Sequence, residues 1–162
     1  MQGTNTLELF DQYSNMVYRI ALSYLRQTQD AEDAVQNVFL KLIEGRAEPE
    51  FGKERAFLTC ITINYCKDVL RSAWKRRIEP LTDEIVYEHK EDRELLDAIM
   101  TLATKYRIVL YMHYYEGYTF SEISSFLKIS ASTVSMRIHR AKKLLKDILG
   151  EDNDEIQLQA SV

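Results

Sequence analysis

The stretch TFSEISSFLKISASTVSMRIHRAKKLLKDILG, residues 119–150, decides how the rest of the chain is read. Thr119 and Glu122 stand at the spacing of a capping box. The threonine hydroxyl would accept from the Glu122 amide while the glutamate side chain reaches back to the Thr119 amide. That spacing predicts a short helix over residues 120–126. Residues 127–130, Leu-Lys-Ile-Ser, interrupt it. Ser130 is a good N-cap, and a longer helix is expected from Ala131 to Leu149, with Gly150 just past its end. On this second helix Val134, Ile138, Ala141, Leu145 and Ile148 line one face, and Ser132, Met136, His139, Arg140 and Lys143 line the opposite one. A capped helix, a tight turn and a longer helix make a helix-turn-helix. Its outer face starts with small hydroxyls and ends in cations. Hydroxyls and an arginine can reach base edges in the major groove while lysines neutralise phosphates. A solvated surface helix can also be rich in lysine and arginine; the preceding capped helix and turn are what favour DNA.

Working outward, residues 93–117 carry Leu95, Leu96, Ile99 and Met100, then Ile108, Val109, Met112 and Tyr115, at helical spacing up to Gly117. Before them, residues 78–92 contain Pro80 and six acidic residues against one lysine, and read as an acidic linker. Three helices are expected further upstream. The first covers residues 7–27 with an apolar stripe of Leu7, Phe10, Met16 or Val17, Ile20, Ala21 and Tyr24. The second starts near Asp30, where acidic side chains suit the helix dipole, and stops at Gly45. After a loop over residues 46–53, the third covers residues 54–77, with Phe57, Leu58, Ile61, Tyr65 and Val69 as its apolar face. Asn64, Lys67, Arg71 and Lys75 form its polar stripe.

Nearly half the residues are apolar (46%), with only two prolines and five glycines, a composition that suits long helices. The expected fold is all-α, in two small helical modules joined by a linker. No apolar run approaches the roughly twenty residues of a bilayer span, and the opening MQGTNTLELFDQY lacks the features of a signal peptide, so a cytoplasmic protein without membrane insertion is expected. The formal charge of −4 is accounted for by Glu151, Asp152, Asp154 and Glu155 in the tail, residues 151–162. Residues 1–150 are balanced, and their basic residues cluster at 67–77 and 137–146, a distribution that suits two contacts with nucleic acid. Cys60 and Cys66 face about 120° apart on a helix and are read as two unbridged thiols. His89, His113 and His139 are scattered without metal-ligand spacing, so no metal is expected. No phosphate loop, zinc-protease motif or nucleophile with a base stands out. The expectation is no enzyme, no cofactor and no small-molecule substrate.

Three blocks together resemble one family, the extracytoplasmic-function group of bacterial RNA polymerase sigma factors. They are residues 30–42 (DAEDAVQNVFLKL), 56–77 (AFLTCITINYCKDVLRSAWKRR) and 102–145 (LATKYRIVLYMHYYEGYTFSEISSFLKISASTVSMRIHRAKKLL). The resemblance implies that residues 1–77 bind core polymerase and recognise and melt the minus-ten element. Residues 93–150 would read the minus-thirty-five element. Asp33, Gln36, Asn37 and Phe39 would belong to the polymerase-binding helix. Asn64, Lys67, Arg71, Lys75, Arg76 and Arg77 would hold minus-ten DNA, beside a loop at residues 48–53 that takes a flipped base. Ser132, Thr133, Ser135, Met136, Arg137, His139, Arg140 and Lys143 would hold the minus-thirty-five DNA. The implied partners are the RNA polymerase core, promoter DNA and an anti-sigma factor. Four positions depart from the family's usual pattern: Asn37 replaces an acid, Phe57 a tryptophan, Ala103 a proline and Lys128 a glycine. If the turn needs φ > 0, Lys128 costs about 1 kcal/mol. Two other readings are a stand-alone helix-turn-helix regulator, which accounts only for the third block, and a helical protein-binding adaptor.

Overall fold

The computed structural model describes residues 5–76 and 90–150, with side chains at all of these except 74–76 and 90–93. The acidic linker expected at 78–92 therefore lies almost wholly outside the described residues, as do Arg77 and the tail 151–162. Every regular element among the described residues is helical, in two compact units, Met1–Asp83 and Glu84–Val162.

The first unit holds α1 (Thr6–Leu25), α2 (Thr28–Ile43) and α3 (Glu54–Arg76), with α1 packed on both others and α2 on α3. Asn5 caps α1 through the Leu7 amide at 3.1 Å, and Gly45, at φ 69°, ends α2 by letting the Arg46 amide donate back to the Lys41 carbonyl at 2.9 Å. The core stripe of α1 is Leu9, Met16, Val17, Ile20, Ala21, Tyr24 and Leu25. Leu7 and Phe10, expected in that stripe, are exposed; the helix turns Leu9 inward instead. The α3 face also differs from expectation. Leu58, Thr59, Thr62, Ile63 and Cys66 are buried, whereas Phe57, Ile61, Tyr65 and Val69 are only partly so. The two threonines can face the core because each hydroxyl donates to its own helix: Thr59 to the Arg55 carbonyl (2.9 Å) and Thr62 to the Leu58 carbonyl (2.6 Å).

Cys60 and Cys66 are both free thiols, as the spacing predicts. Burial pushes the Cys66 thiol up from 9.0 to about 12. The folded state therefore holds this proton more tightly than the unfolded chain does. The associated stability is intact below pH 9.0 and is lost as pH rises toward about 12. At about pH 8, a thiol-alkylating reagent should modify the half-buried Cys60 in the native protein and Cys66 only at the rate of unfolding. Peptide mass mapping over time checks this, and equal rates at both positions would contradict it.

The second unit holds α4 (Lys90–Thr101), α5 (Thr104–Leu110), a π turn (Tyr111–Tyr115), α6 (Phe120–Leu127) and α7 (Ala131–Leu149). Helices α4, α5 and α6 all pack on α7. Its core contains Leu102, Ile108, Val109, Leu110, Met112, Ile123, Leu127, Val134, Ile138, Ala141 and Leu145. Tyr115 and Ile148, expected inside, are exposed. The π turn accounts for Tyr115, since its wider ladder, with Glu116 N–H donating to the Tyr111 carbonyl, shifts the helical phase. Tyr115 then stacks on Tyr111, ring centroids 5.3 Å apart. His113 Nδ1 lies 2.8 Å from the Tyr118 carbonyl, which only an N–H can satisfy, so Nδ1 carries a proton.

At the corner between α4 and α5 sits a charged core residue. Arg107 is 1% exposed, and its guanidinium donates to the Leu102 carbonyl at 2.8 Å and to Thr104 Oγ1 at 3.2 Å. One side chain thus ties the end of α4 to the start of α5.

Both halves of the capping box are present: Glu122 N–H donates to Thr119 Oγ1 and Thr119 N–H to Glu122 Oε1, each at 3.1 Å. Lys128 adopts the left-handed conformation (φ 57°, ψ 43°) at the end of α6, where the Ile129 amide donates to the Ser124 carbonyl at 3.1 Å. The turn does need φ > 0, and an exposed lysine supplies it under strain. Lys128→Gly is expected to stabilise this unit by about 0.5–1 kcal/mol, the relief of side-chain strain exceeding the extra freedom glycine gains when unfolded. Thermal or urea unfolding measures it, and a loss of stability would show the turn to be unstrained.

Candidate nucleic-acid interface

Helix α7 starts at Ser130, whose Oγ accepts from the Thr133 amide at 3.1 Å and lies 2.7 Å from Thr133 Oγ1 and 3.0 Å from Ser132 Oγ. Its inward face is Val134, Ile138, Ala141 and Leu145, all buried. The residues expected to meet DNA sit around the other side. Ser132, Ser135, Met136, His139, Arg140 and Lys143 are exposed, and Thr133 and Arg137 are half-buried at the margin. Residues 123–146 contain no acidic residue. Among the described residues, none of Arg137, His139, Arg140, Lys143 and Lys146 has a carboxylate within ion-pair distance. Lys142 is occupied otherwise, its Nζ lying over the Tyr114 ring at 4.8 Å from the centroid. Over residues 132–146 the outer face of α7 is therefore a cationic surface whose charges meet no carboxylate at ion-pair distance among the described residues, the electrostatic condition for holding a phosphate backbone.

The first unit presents a second basic stripe on α3. Asn64 and Arg71 are exposed and Lys67 is half-buried. Arg71 meets Asp68 at 3.4 Å, both well exposed, an ion pair weak enough for a phosphate to displace. The Asn64 amide touches Cys60 Sγ at 3.8 Å and is otherwise turned to solvent. Lys75 and Arg76 lie on the last turn of α3, their side chains outside the described set, and Arg77 is outside it altogether. The loop before α3 carries Phe51 at 92% exposure, followed by Gly52 at φ 82°. The Gly52 amide donates to Glu54 Oε1 at 3.0 Å, which folds the loop back on the start of α3. An aromatic ring held in water beside a helix with basic residues is suited to stacking on a base. Its signal in the sequence was a lone phenylalanine in a polar, glycine-containing loop.

On α2, Asp33, Gln36 and Asn37 are exposed. The Asn37 amide donates to the Asp33 carbonyl (2.8 Å) and to the Tyr65 hydroxyl (3.3 Å), so it also links α2 to α3. Burial, followed by the negative charge of Asp33, raises the Tyr65 phenol above its usual value and keeps it a neutral acceptor for that bond. Phe39 does not belong to this surface. It is 3% exposed and packs edge-on against Phe10, ring centroids 5.0 Å apart, so it supports the helix from within. Leu40 and Ile43 continue the exposed face instead, Ile43 at 67%. The family resemblance names neither; their signal in the sequence is that they fall out of phase with Ala31, Ala34, Val38 and Leu42.

Residues 9–76 match the family Sigma-70 region 2, and residues 92–145 match Sigma-70, region 4. The chain is 30% identical over 159 residues to the ECF RNA polymerase sigma factor SigL of Mycobacterium tuberculosis, covering 88% of each. It is 27% identical over 161 residues to the ECF RNA polymerase sigma factor SigE of Mycolicibacterium smegmatis, covering 91% of this chain and 63% of that longer protein. Among solved structures, the sigma factor RpoE in complex with the anti-sigma factor NepR from Bartonella quintana has the same fold: TM-score 0.74 at 17% identity, over 86% of this chain and 93% of that one.

Proposed function

Since the chain belongs to the extracytoplasmic-function family of RNA polymerase sigma factors, we propose that its two units divide promoter recognition between them. It is a DNA-binding initiation factor and not an enzyme; its partners are the polymerase core and promoter DNA. The match over residues 9–76 disfavours both the stand-alone regulator and the adaptor, neither of which calls for a sigma region 2 there.

Residues 1–77 dock on the polymerase through the exposed face of α2, with Asp33, Gln36 and Asn37 joined by Leu40 and Ile43. A face that is polar at one end and apolar at the other suits a protein partner. Asn64, Lys67, Arg71, Lys75, Arg76 and Arg77 hold the separating strands, while Phe51, in the loop at the N-terminal end of the same helix, is exposed to stack on a base further along. Residues 93–150 read the minus-thirty-five element as duplex through the outer face of α7, and residues 78–92 connect the two. The observation that carries this reading is the exposed cationic face of α7, where Arg140, Lys143 and Lys146 have no carboxylate within ion-pair distance among the described residues.

No described helix is long and apolar enough to cross a membrane. A place in the cytoplasm follows from the need to meet polymerase and chromosome. An anti-sigma protein is proposed as a further partner, on the parallel with the Bartonella quintana sigma factor in its complex.

Transcription of a genomic-fragment library by purified core polymerase with the full chain tests the function. A defined set of start sites should appear only when the chain is added. Leu40→Lys together with Ile43→Lys should lower core-polymerase affinity by about tenfold or more, since each buries a charge in an apolar contact, without lowering thermal stability. No association with core polymerase and no new start sites would overturn the reading.

A further inference from the structure

We propose that Met136 is a specificity-determining residue that reads the 5-methyl group of a thymine in the upstream promoter element. The inference rests on the reading of α7 as the recognition helix.

Met136 stands at the apex of the outward face of α7. On a helical wheel it is about 180° from Leu145 and about 160° from Val134 and Ile138, the residues that fix the inward direction. Ser132 lies one turn before it and Arg140 one turn after it, with His139 and Lys143 alongside. At 46% exposure it is the large apolar side chain that this face holds furthest from the core, and no ring or polar group of the described residues engages it. A single exposed methionine on a protein surface is ordinary. This one sits instead with hydroxyls, an imidazole and cations in the helical turns on either side of it, Ser132, Ser135, His139, Arg140 and Lys143.

Inserted in a major groove, an apex residue is the one brought nearest the base edges, while its basic neighbours reach the phosphates on either side. Of the groups displayed in that groove, only the thymine methyl is apolar. A thioether on an unbranched, polarizable stem fits against it, whereas cytosine presents only a C5–H at that place, next to an amino donor that a thioether serves poorly. The base under Met136 is therefore thymine rather than cytosine.

The test uses holoenzyme assembled from core polymerase and the full chain, on a promoter recovered from the library transcription. Each thymine of the upstream element, on either strand, is replaced in turn by deoxyuridine, which pairs identically and lacks the methyl group. One replacement should weaken the wild-type complex about fourfold, the value of one buried methyl-sized group. The same replacement should leave the Met136→Ala complex unchanged. Equal sensitivity of both proteins at every position, no sensitivity at any position, or an upstream element lacking thymine would each overturn the proposal. Arg140→Ala, run in parallel, separates this from failure of the underlying reading. If upstream protection survives loss of Arg140 as well, α7 is not the reader. If it is lost while methyl removal is silent, only the role of Met136 falls.

Discussion

Arg140→Ala is expected to cut transcription from the cognate promoter by about 10- to 100-fold, with little change in folding or in affinity for core polymerase. The size follows from the worth of a good arginine-to-base contact, about 1–3 kcal/mol. The absence of a folding effect follows from its surroundings: Arg140 is exposed, and among the described residues it has neither hydrogen-bond nor ion-pair partner to lose. Two further measurements say what it touches. If it grips a guanine edge with both guanidinium nitrogens, Arg140→Lys loses most of the same activity, because a lysine cannot form that fork. If it holds a phosphate, the lysine variant keeps its activity, and the alanine variant lowers the salt dependence of binding by about one released counterion. Unchanged promoter selection in Arg140→Ala would exclude the residue from the interface.

The second large effect is structural. Arg107→Met should destabilise the second unit by about 2–3 kcal/mol, and so lower its thermal midpoint by roughly 10 °C or more. Replacing a buried ion by an apolar group can be neutral where its partners leave with it. Here the partner stays, because the carbonyl of buried Leu102 belongs to the backbone and loses its charged donor. Arg107→Lys should rescue little, since one ammonium cannot span both the Leu102 carbonyl and Thr104 Oγ1 in the planar geometry of the guanidinium. Calorimetry of the full chain should show one transition displaced and the transition of the first unit in place. A single shared displacement, or none, would contradict the assignment of Arg107 to an independent core.

What the sequence disclosed depended on how local the responsible interaction is. The capping box of Thr119 and Glu122, the Ser130 cap and the stop at Gly45 are each settled within a few residues, and each is found where the spacing puts it. Which face of a helix turns inward depends on its neighbours, and there the polarity pattern misled. Thr59 and Thr62 count as polar yet satisfy their hydroxyls within α3 and enter the core. Leu7 and Ile148 count as apolar yet stay exposed. The π turn was not legible at all, since a one-residue shift in phase looks like noise in a short apolar run. For the interface, the outward side of α7 could be read from the wheel because its inner stripe is regular. On α2, Phe39 and Leu40 are adjacent apolar residues; the phase of Ala31, Ala34, Val38 and Leu42 turns Leu40 outward, and the contact with Phe10 shows what holds Phe39 in.

The hydroxyl cluster at the head of α7 fixes the turn and the first helical residues by bonds formed within the free protein. Little conformational entropy then remains to be lost when the helix enters a groove, so association is limited by encounter and orientation, not by folding. A loosened cap, as in Ser130→Ala, would in consequence slow capture of the upstream duplex even though Ser130 need touch no nucleotide.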